Sequence, residues 1–348
     1  MDPVTHLLAG ALAGATLTPG AQAGRQRPLL QAMLAGAVAG IFPDIDYLAL
    51  AGGDTLYMLN NHRGYTHSLL LLPLWATLLA CPLKWSSGHR LGLKPCLAIA
   101  ALALTTHILL DLITPYGTRI LMPLDVHPYT LNTTFVIDLP LTAILALGMA
   151  LLLTARSPRL ALIPLTAVVI YIGMEAHIRD RAETLARAYA RAQGMQDAVT
   201  VTLPQPFSAF NRKLIVTEDD SYHSAYISMN GVYPLAAYYP STWPLAAAIN
   251  AYRTPGRIRW RVLPKFGPAG EQTVTRRAWR SAPLASFRRF SRFPVLYRID
   301  DNSDSPCVWF TDLRYTFPHT TPSFRFGVCH SGGQWQAREL PGSGFDLK

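Results

Sequence analysis

Charge and cysteine are both scarce in this chain. Charged residues make up 15% of its 348 positions and hydrophobic ones 50%, a balance that excludes an intrinsically disordered protein. Four cysteines are too few for a disulfide-dense scaffold, and no Cys-x2-Cys pair exists to build a zinc ribbon. The common catalytic signatures are missing too. There is no His-Glu-x2-His of a zincin-type protease, no Gly-x-Ser-x-Gly nucleophile elbow, and neither a Walker A loop nor Gly-x-Gly-x2-Gly for a nucleotide. No internal repeat stands out.

The charge that is present is unevenly placed. Residues 1–178 carry nine Lys+Arg and eight Asp+Glu, so the formal +10 belongs almost wholly to 179–348, with 22 and 13. A basic second half fits nucleic acid or anionic lipid. The first half is poor in charge and rich in Leu and Ala, and no zinc-finger or RNP-type motif is present, so membrane lipid is the expected partner and nucleic acid is not.

Six apolar stretches fill the first half, at residues 7–17, 29–42, 68–83, 96–113, 139–153 and 160–174. The last four run roughly 15–18 residues, slightly short of the ~20 that cross a bilayer core. The first two are shorter, and alone they read as re-entrant or as packed against neighbours. Ala21-Gln22-Ala23 resembles a signal-peptide cleavage site, but the chain starts Met1-Asp2-Pro3 without a basic n-region, so the first stretch is read as retained. Arg25 and Arg27, then Lys84, Arg90 and Lys94, then Arg156 and Arg159 occupy alternate loops, which the positive-inside rule makes cytoplasmic. The other loops and the second half then face outward.

The expected fold is a mainly α membrane bundle of about six short helices over 1–178, followed by a small basic α+β extramembrane domain over 207–348. Between them, 179–206 reads as an amphipathic helix, with Arg179, Arg181, Arg187 and Arg191, and a Pro-containing link at Leu203-Pro204-Gln205-Pro206. Strands are expected around Lys213–Val216, Val295–Ile299 and Ser323–Val328, and a basic amphipathic helix over 278–290.

Ionisable side chains inside apolar helices are costly, so each needs a reason. Here they cluster. His6 opens the first stretch, and Asp44 and Asp46 close the second in Phe42-Pro43-Asp44-Ile45-Asp46. His62-Arg63-Gly64-Tyr65-Thr66-His67-Ser68 opens the third, and His107-x3-Asp111 closes the fourth. In an up-and-down bundle these four places share one side, the side that the loop charges already put outward.

The local spacing suits metal binding. His107 and Asp111 are i and i+4, on one helix face. Pro43 is expected to break the second helix into an extended Asp-x-Asp that points both carboxylates one way. Thr66 is expected to cap the third helix, with His67 in its first turn. Four His and three Asp exceed the four ligands of one structural zinc, which suggests two ions, or one ion with a general base. The metal ligands read from the sequence are His6, Asp46, His62, His67, His107 and Asp111. Asp44 is assigned to bridge metals or take a proton, and Arg63 to stabilise developing negative charge. Asp125 and His127 are second-rank, Asp138 is explained by a helix N-terminus, and His89 and His177 are expected outside the site.

Taken in order and spacing, these motifs resemble the YdjM-like family of inner-membrane, metal-dependent hydrolases, also described as LexA-binding and membrane-associated. The resemblance rests on Asp2-Pro3-Val4-Thr5-His6, the Asp-x-Asp and His-Arg-Gly-Tyr-Thr-His segments, and His107-x3-Asp111-x2-Thr114-x-Tyr116-Gly117. Trp309-Phe310-Thr311-Asp312-Leu313-Arg314-Tyr315 and Pro322-Ser323-Phe324-Arg325-Phe326 extend it into the tail. A fainter similarity runs to zinc phospholipase C and P1-type nucleases, which also use a His-x3-Asp pair and tilt the substrate class toward phosphoesters. What the resemblance implies is a multi-pass inner-membrane hydrolase whose divalent metal, zinc by expectation, activates water at the outer end of the bundle. The alternative is a non-catalytic membrane protein, either a divalent-ion transporter or a stress-related scaffold with a structural metal. Cys307 and Cys329 both lie in the second half, and their proximity is open at this point; Cys81 and Cys96 flank a loop read as cytoplasmic.

Overall fold

In a computed structural model, residues 1–18, 26–206, 208–231, 244–300 and 306–340 are described. Arg25 and the Ala21-Gln22-Ala23 segment lie outside them. The chain divides into two compact units, one of Met1–Asp54 with Asn61–His177 and one of Thr55–Asn60 with Ile178–Lys348.

The first unit is helical. Its elements are α1 (Pro3–Thr16), α2 (Gln26–Ile41), α3 (Asp46–Leu50), α5 (Leu72–Ser86), α6 (Leu93–Leu112) and α7 (Leu139–Ala155); α4 (Thr55–Asn61), between α3 and α5 in the chain, belongs through Thr55–Asn60 to the second unit. A long helix, α8 (Leu162–Ala192), continues from the sixth apolar stretch through the arginine-bearing segment. Among the described residues, three helical segments are long and apolar enough to cross a membrane: Arg27–Leu48, Leu93–Leu112 and Pro158–Ala192.

Helices α1 and α2 pack backbone to backbone through paired Gly-x3-Gly motifs. A Cβ added at Gly10 would stand 2.4 Å from the Gly36 carbonyl oxygen, and one at Gly36 would stand 2.2 Å from that of Gly10. Only glycine permits so close an approach, which lets dispersion between the two backbones hold the pair. One apolar core then forms around Leu12, Met33, Leu110, Leu141, Leu145 and Leu152, and another joins Ala32, Ala39, Leu79, Ile99 and Leu104.

Two expectations fail locally in this unit. Phe42–Ile45 is a 3-10 turn rather than an extended Asp-x-Asp, because Pro43 sits second in the turn, among the opening positions whose N–H has no partner within it. His67 ends a second 3-10 turn, Tyr65–His67, and α5 starts only at Leu72, with Pro73 pre-set for its first turn. Thr66 therefore caps no helix.

The second unit holds two four-stranded antiparallel sheets. The first runs β1 (Val199–Pro204), β2 (Asn211–Glu218), β3 (Ser221–Ser228) and β4 (Arg261–Pro264) in sequence order. The second does the same with β5 (Pro294–Asp300), β6 (Cys307–Asp312), β7 (Arg325–Ser331) and β8 (Gln334–Glu339). Strand β2 shows the period of two. Leu214 and Val216 pack with Ala182, Ala186 and Ala190 of α8, while Ile215 turns the other way to Phe293, Val295 and Leu313. Pro204 pairs at the end of edge strand β1 instead of forming a link, an edge being where a missing N–H is tolerated.

Short helices α9 (Pro244–Asn250), α10 (Gln272–Arg280) and α11 (Ala285–Phe290) complete the unit. The helix expected over 278–290 is broken at Ala282–Leu284, where Pro283 removes an interior hydrogen bond and disfavours helix at the residue before it. Cys307 and Cys329 stand opposite each other on β6 and β7 and are disulfide-bonded. Cys81 and Cys96 are free thiols.

Candidate metal centre

Four separate segments deliver the polar cluster of the first unit. Helix α1 starts cleanly, because Asp2 accepts a 3.0 Å hydrogen bond from the Thr5 amide and Pro3 occupies the first turn, which sets His6 one turn inside. Asp44 lies in the 3-10 turn after α2, and Asp46 is the first residue of α3. His62 and Arg63 form the turn after α4, Arg63 in the left-handed region at φ 61°, and His67 follows four residues on. His107 and Asp111 sit one turn apart on α6. His6, Asp46, His62, Arg63, His67, His107 and Asp111 are all buried.

Two groups of possible ligands result, Asp44–His67–His107–Asp111 and Asp44–Asp46–His62, each with one donor atom per residue within 4.8 Å of the others. Asp44 belongs to both. In the first group His67 Nε2 lies 3.1 Å from His107 Nε2 and 3.2 Å from Asp111 Oδ2. Asp44 Oδ1 lies 3.5 Å from His67 Nε2 and 3.6 Å from His107 Nε2.

Tautomers decide what these atoms can do. His107 Nδ1 stands 2.6 Å from the Gly40 carbonyl oxygen, which can only accept, so Nδ1 carries the proton and Nε2 a lone pair. With the one Thr66 hydrogen donated to Asp46 Oδ2 at 3.2 Å, Thr66 Oγ1 accepts from His67 Nδ1 at 2.9 Å, and in the neutral ring His67 Nε2 is then a lone pair as well. Asp111 Oδ2 is buried without a hydrogen-bond partner. Four acceptor atoms thus converge with no donor between them. A divalent cation satisfies that arrangement, and two imidazoles with two carboxylates suit zinc and other first-row ions. The Gly40 carbonyl and Thr66 supply the outer contacts that orient such ligands. His62 Nδ1 similarly donates to Asp46 Oδ1 at 2.8 Å, which frees Nε2.

The other oxygen of Asp111 faces hydrogen-bond donors, the Arg63 guanidinium first among them. Arg63 Nη2 pairs with Oδ1 at 2.8 Å, His6 Nε2 approaches it at 3.2 Å, and the Met1 amine also reaches it. Arg63 Nη1 donates to Thr114 Oγ1 at 2.8 Å, its backbone amide donates to Asp46 Oδ2 at 3.1 Å, and its guanidinium lies over the Tyr116 ring. Its Nε is buried without a hydrogen-bond partner. His6 stacks on His107 with ring centroids 3.6 Å apart, beside both ligand groups and in neither.

The remaining candidates stand elsewhere. Asp125 accepts from the His127 amide and the Tyr129 hydroxyl within its own loop, and Asp138 caps α7 through the Leu141 amide. His89 and His177 are exposed. Sequence reasoning overlooked Tyr47, whose ring lies 4.0 Å from that of His62, and the anchoring roles of Thr66, Thr114 and the Gly40 carbonyl. Both threonines sit inside the quoted motifs, which was their signal; a backbone carbonyl leaves none.

Apolar helices of membrane-crossing length around a buried His/Asp cluster define a membrane-type helical protein with metal-ligand chemistry at its core. The chain belongs to the family described as YdjM inner membrane protein, whose family model matches residues 1–182. It is also similar to the "Uncharacterized protein YfhP" of Bacillus subtilis (strain 168), at 33% identity over 127 residues. That match covers 35% of this chain and 37% of the relative, so the chain aligns with little more than a third of that protein's length. No solved structure matches. The tail motifs around Trp309 and Phe324 lie outside the family match.

Proposed function

We propose that this chain is a multi-pass inner-membrane, metal-dependent hydrolase acting on a phosphoester or lipid-linked substrate. The observation that carries the proposal is the convergence of His67 Nε2, His107 Nε2, Asp111 Oδ2 and Asp44 Oδ1, all acceptors, in a buried place with no donor among them. A cation held there would supply Lewis-acid chemistry and make water nucleophilic near neutral pH. The chain's own residues account for the rest. Asp44, common to both ligand groups, suits a carboxylate shared between two ions. Arg63 holds Asp111 in place through its two Nη atoms and keeps Nε–H for an anionic oxygen. Tyr47 and Tyr116 flank His62 and limit water around it.

The disulfide between Cys307 and Cys329 supports an extracytoplasmic second unit, since such bonds persist in oxidising compartments. Arg276, Arg280 and Arg288 line one cleft there with Trp279, a surface suited to anionic head groups. Burial of three of the four ligands of the first group is the one observation that favours a purely structural metal.

Metal analysis of the purified full-length protein, with a phosphodiester and phospholipid substrate screen, tests the reading. His107→Ala is expected to be folded, metal-poor and inactive. A protein that takes up no divalent ion refutes the metal centre. A folded, metal-free variant with full turnover refutes the metal's catalytic role, and collapse of every ligand variant supports the structural alternative.

A further inference from the structure

Within the first unit, an apolar cleft of about 500 Å³ runs between the start of α1 and the end of α2. Val4 and Leu7 form one wall, and Val38, Ile41 and Ile45 the other. The cleft has one charged lining residue, Asp44. Asp44 is also the accessible member of the first ligand group: its side chain is 18% exposed, whereas those of His67, His107 and Asp111 are at 0%.

We infer that this cleft is a binding site for the hydrocarbon chain of an amphiphile, which seats its anionic phosphate head beside Asp44. The inference rests on the hydrolase reading above and names its substrate class, a lipid phosphoester. Three observations converge on it. The α2 wall belongs to Arg27–Leu48, one of the segments apolar enough to cross a bilayer, so its exposed side chains Val38, Ile41 and Ile45 belong to a surface that hydrocarbon covers. The cleft is continuous with the ligand cluster through a residue common to both. Asp44 meets His67 Nε2 and His107 Nε2 on its inner side and stays part-exposed toward the cleft, so an anionic head drawn to a cation held by these ligands would lie at the cleft's one polar point. The volume falls in the ordinary range of small-ligand sites, roughly 300–1,000 Å³.

Two features set the geometry. Gly40 packs against the Gly10 backbone, so α1 and α2 touch directly beside Ile41, and the cleft lies alongside that contact between Leu7 and Val38 and on toward Pro3 and Ile45. Phe42, which contributes to the lining, is held against Trp75, so this part of the wall is fixed by packing.

The test uses full-length protein in phosphatidylcholine nanodiscs with a lysophosphatidic acid whose acyl chain carries a diazirine, cross-links being mapped by peptide mass spectrometry. Saturable labelling of residues 38–48, competed by unlabelled lysophosphatidic acid and not by inorganic phosphate, is expected. Val38→Trp, which fills the cleft, should weaken labelling about tenfold, the equivalent of roughly two methylene groups of lost burial, while leaving metal content unchanged. Should Val38→Trp fail to fold, Leu7→Phe fills the same cleft from the other wall. Labelling that does not saturate and matches that of the exposed Val169 and Ile170 on α8 means bulk lipid only and overturns the inference, as does competition by phosphate alone. The two readings fail separately. Saturable labelling in a protein that binds no metal leaves the lipid site standing without the hydrolase, whereas metal-dependent turnover with unsaturable labelling removes only the lipid site.

Discussion

The contact between α1 and α2 ties packing to the candidate centre, and Gly36→Ala probes it with one methyl group. The added Cβ would stand 2.2 Å from the Gly10 carbonyl oxygen and 3.0 Å from the Gly14 Cα, both backbone atoms that no rotamer change can move. Restoring ordinary contact at 3.4 Å requires the helices to separate by about 1 Å. Overpacking of this kind costs about 1–3 kcal/mol, or roughly 2–10 °C in apparent melting temperature for a unit of this size. The same displacement carries Gly40, whose carbonyl oxygen fixes His107 through a 2.6 Å hydrogen bond. Loss of such an outer contact typically weakens metal binding by about 10–100-fold. Thermal unfolding in detergent and titration with Zn2+ read the two effects. Gly173→Ala, inside α8 at a position with nothing within 4 Å of the added atom, is the control and should melt at or slightly above the native protein, helix propensity adding up to about 1 kcal/mol. A Gly36→Ala protein that melts and binds metal like the control would refute the reasoning, since it would mean the helices are free to separate without disturbing the centre.

Other perturbations reach different parts of the chain. Arg63→Lys cannot span both Asp111 Oδ1 and Thr114 Oγ1, so the protein should lose roughly 1.5–3 kcal/mol of stability while keeping its metal, as melting and metal analysis would show. Reduction of the Cys307–Cys329 bond, which closes a sequence separation of 22, should destabilise the second unit by about 3 kcal/mol, and on the native protein a membrane-permeant thiol reagent should modify exposed Cys81 and spare buried Cys96. Lys213 is buried in the second unit, and desolvation lowers its pKa from 10.5 to about 7. Between those values the unfolded chain holds a proton that the folded one has released, so stability should rise with pH through that window by about 1.4 kcal/mol per unit and level off below it. Urea unfolding of the native protein against Lys213→Met checks this; identical pH profiles would show that Lys213 keeps its proton through its bonds to the Leu313 carbonyl and Thr316.

The sequence made the site's membership legible because burying imidazoles and carboxylates in apolar helices is expensive, and because His6, Asp46, His67 and His107 all fall at the ends of apolar runs. What it hid was local conformation. An Asp-x-Asp after Pro43 reads equally well as extended chain or as a 3-10 turn, since proline is at home in both, and the packing of Phe42 on Trp75 accompanies the second. Ser68–Leu71 looked like the opening of a helix because it is apolar, yet Ser68 Oγ donates to the Met122 carbonyl oxygen at 2.6 Å and accepts from the Leu70 amide, bonds from 54 residues away and from within a turn. The Gly-x3-Gly spacing at Gly10/Gly14 and Gly36/Gly40 stands in the sequence inside two apolar runs too short to span alone, where only the packed pair shows its purpose. Pro283 should have ended the helix expected over 278–290; hydrophobic periodicity outweighed it. For the disulfide the sequence offers two cysteines in a second half read as extracytoplasmic, but whether they meet depends on the β6–β7 register.

Asp111 shows why the cluster works as one object rather than as a list of ligands. Its two oxygens face opposite surroundings: Oδ1 meets the Arg63 guanidinium, while Oδ2 faces only the lone pairs of His67 and His107. A carboxylate buried at 0% exposure needs a countercharge, and Arg63 provides it from the side away from the imidazoles. That leaves the inner oxygen negative and uncommitted, the condition for ligating a cation, and explains the presence of an arginine in an otherwise anionic group. It also separates two jobs that a sequence reading assigns to Arg63 together. The Nη atoms hold Asp111 and Thr114, which leaves the Nε–H as a donor that no protein acceptor takes.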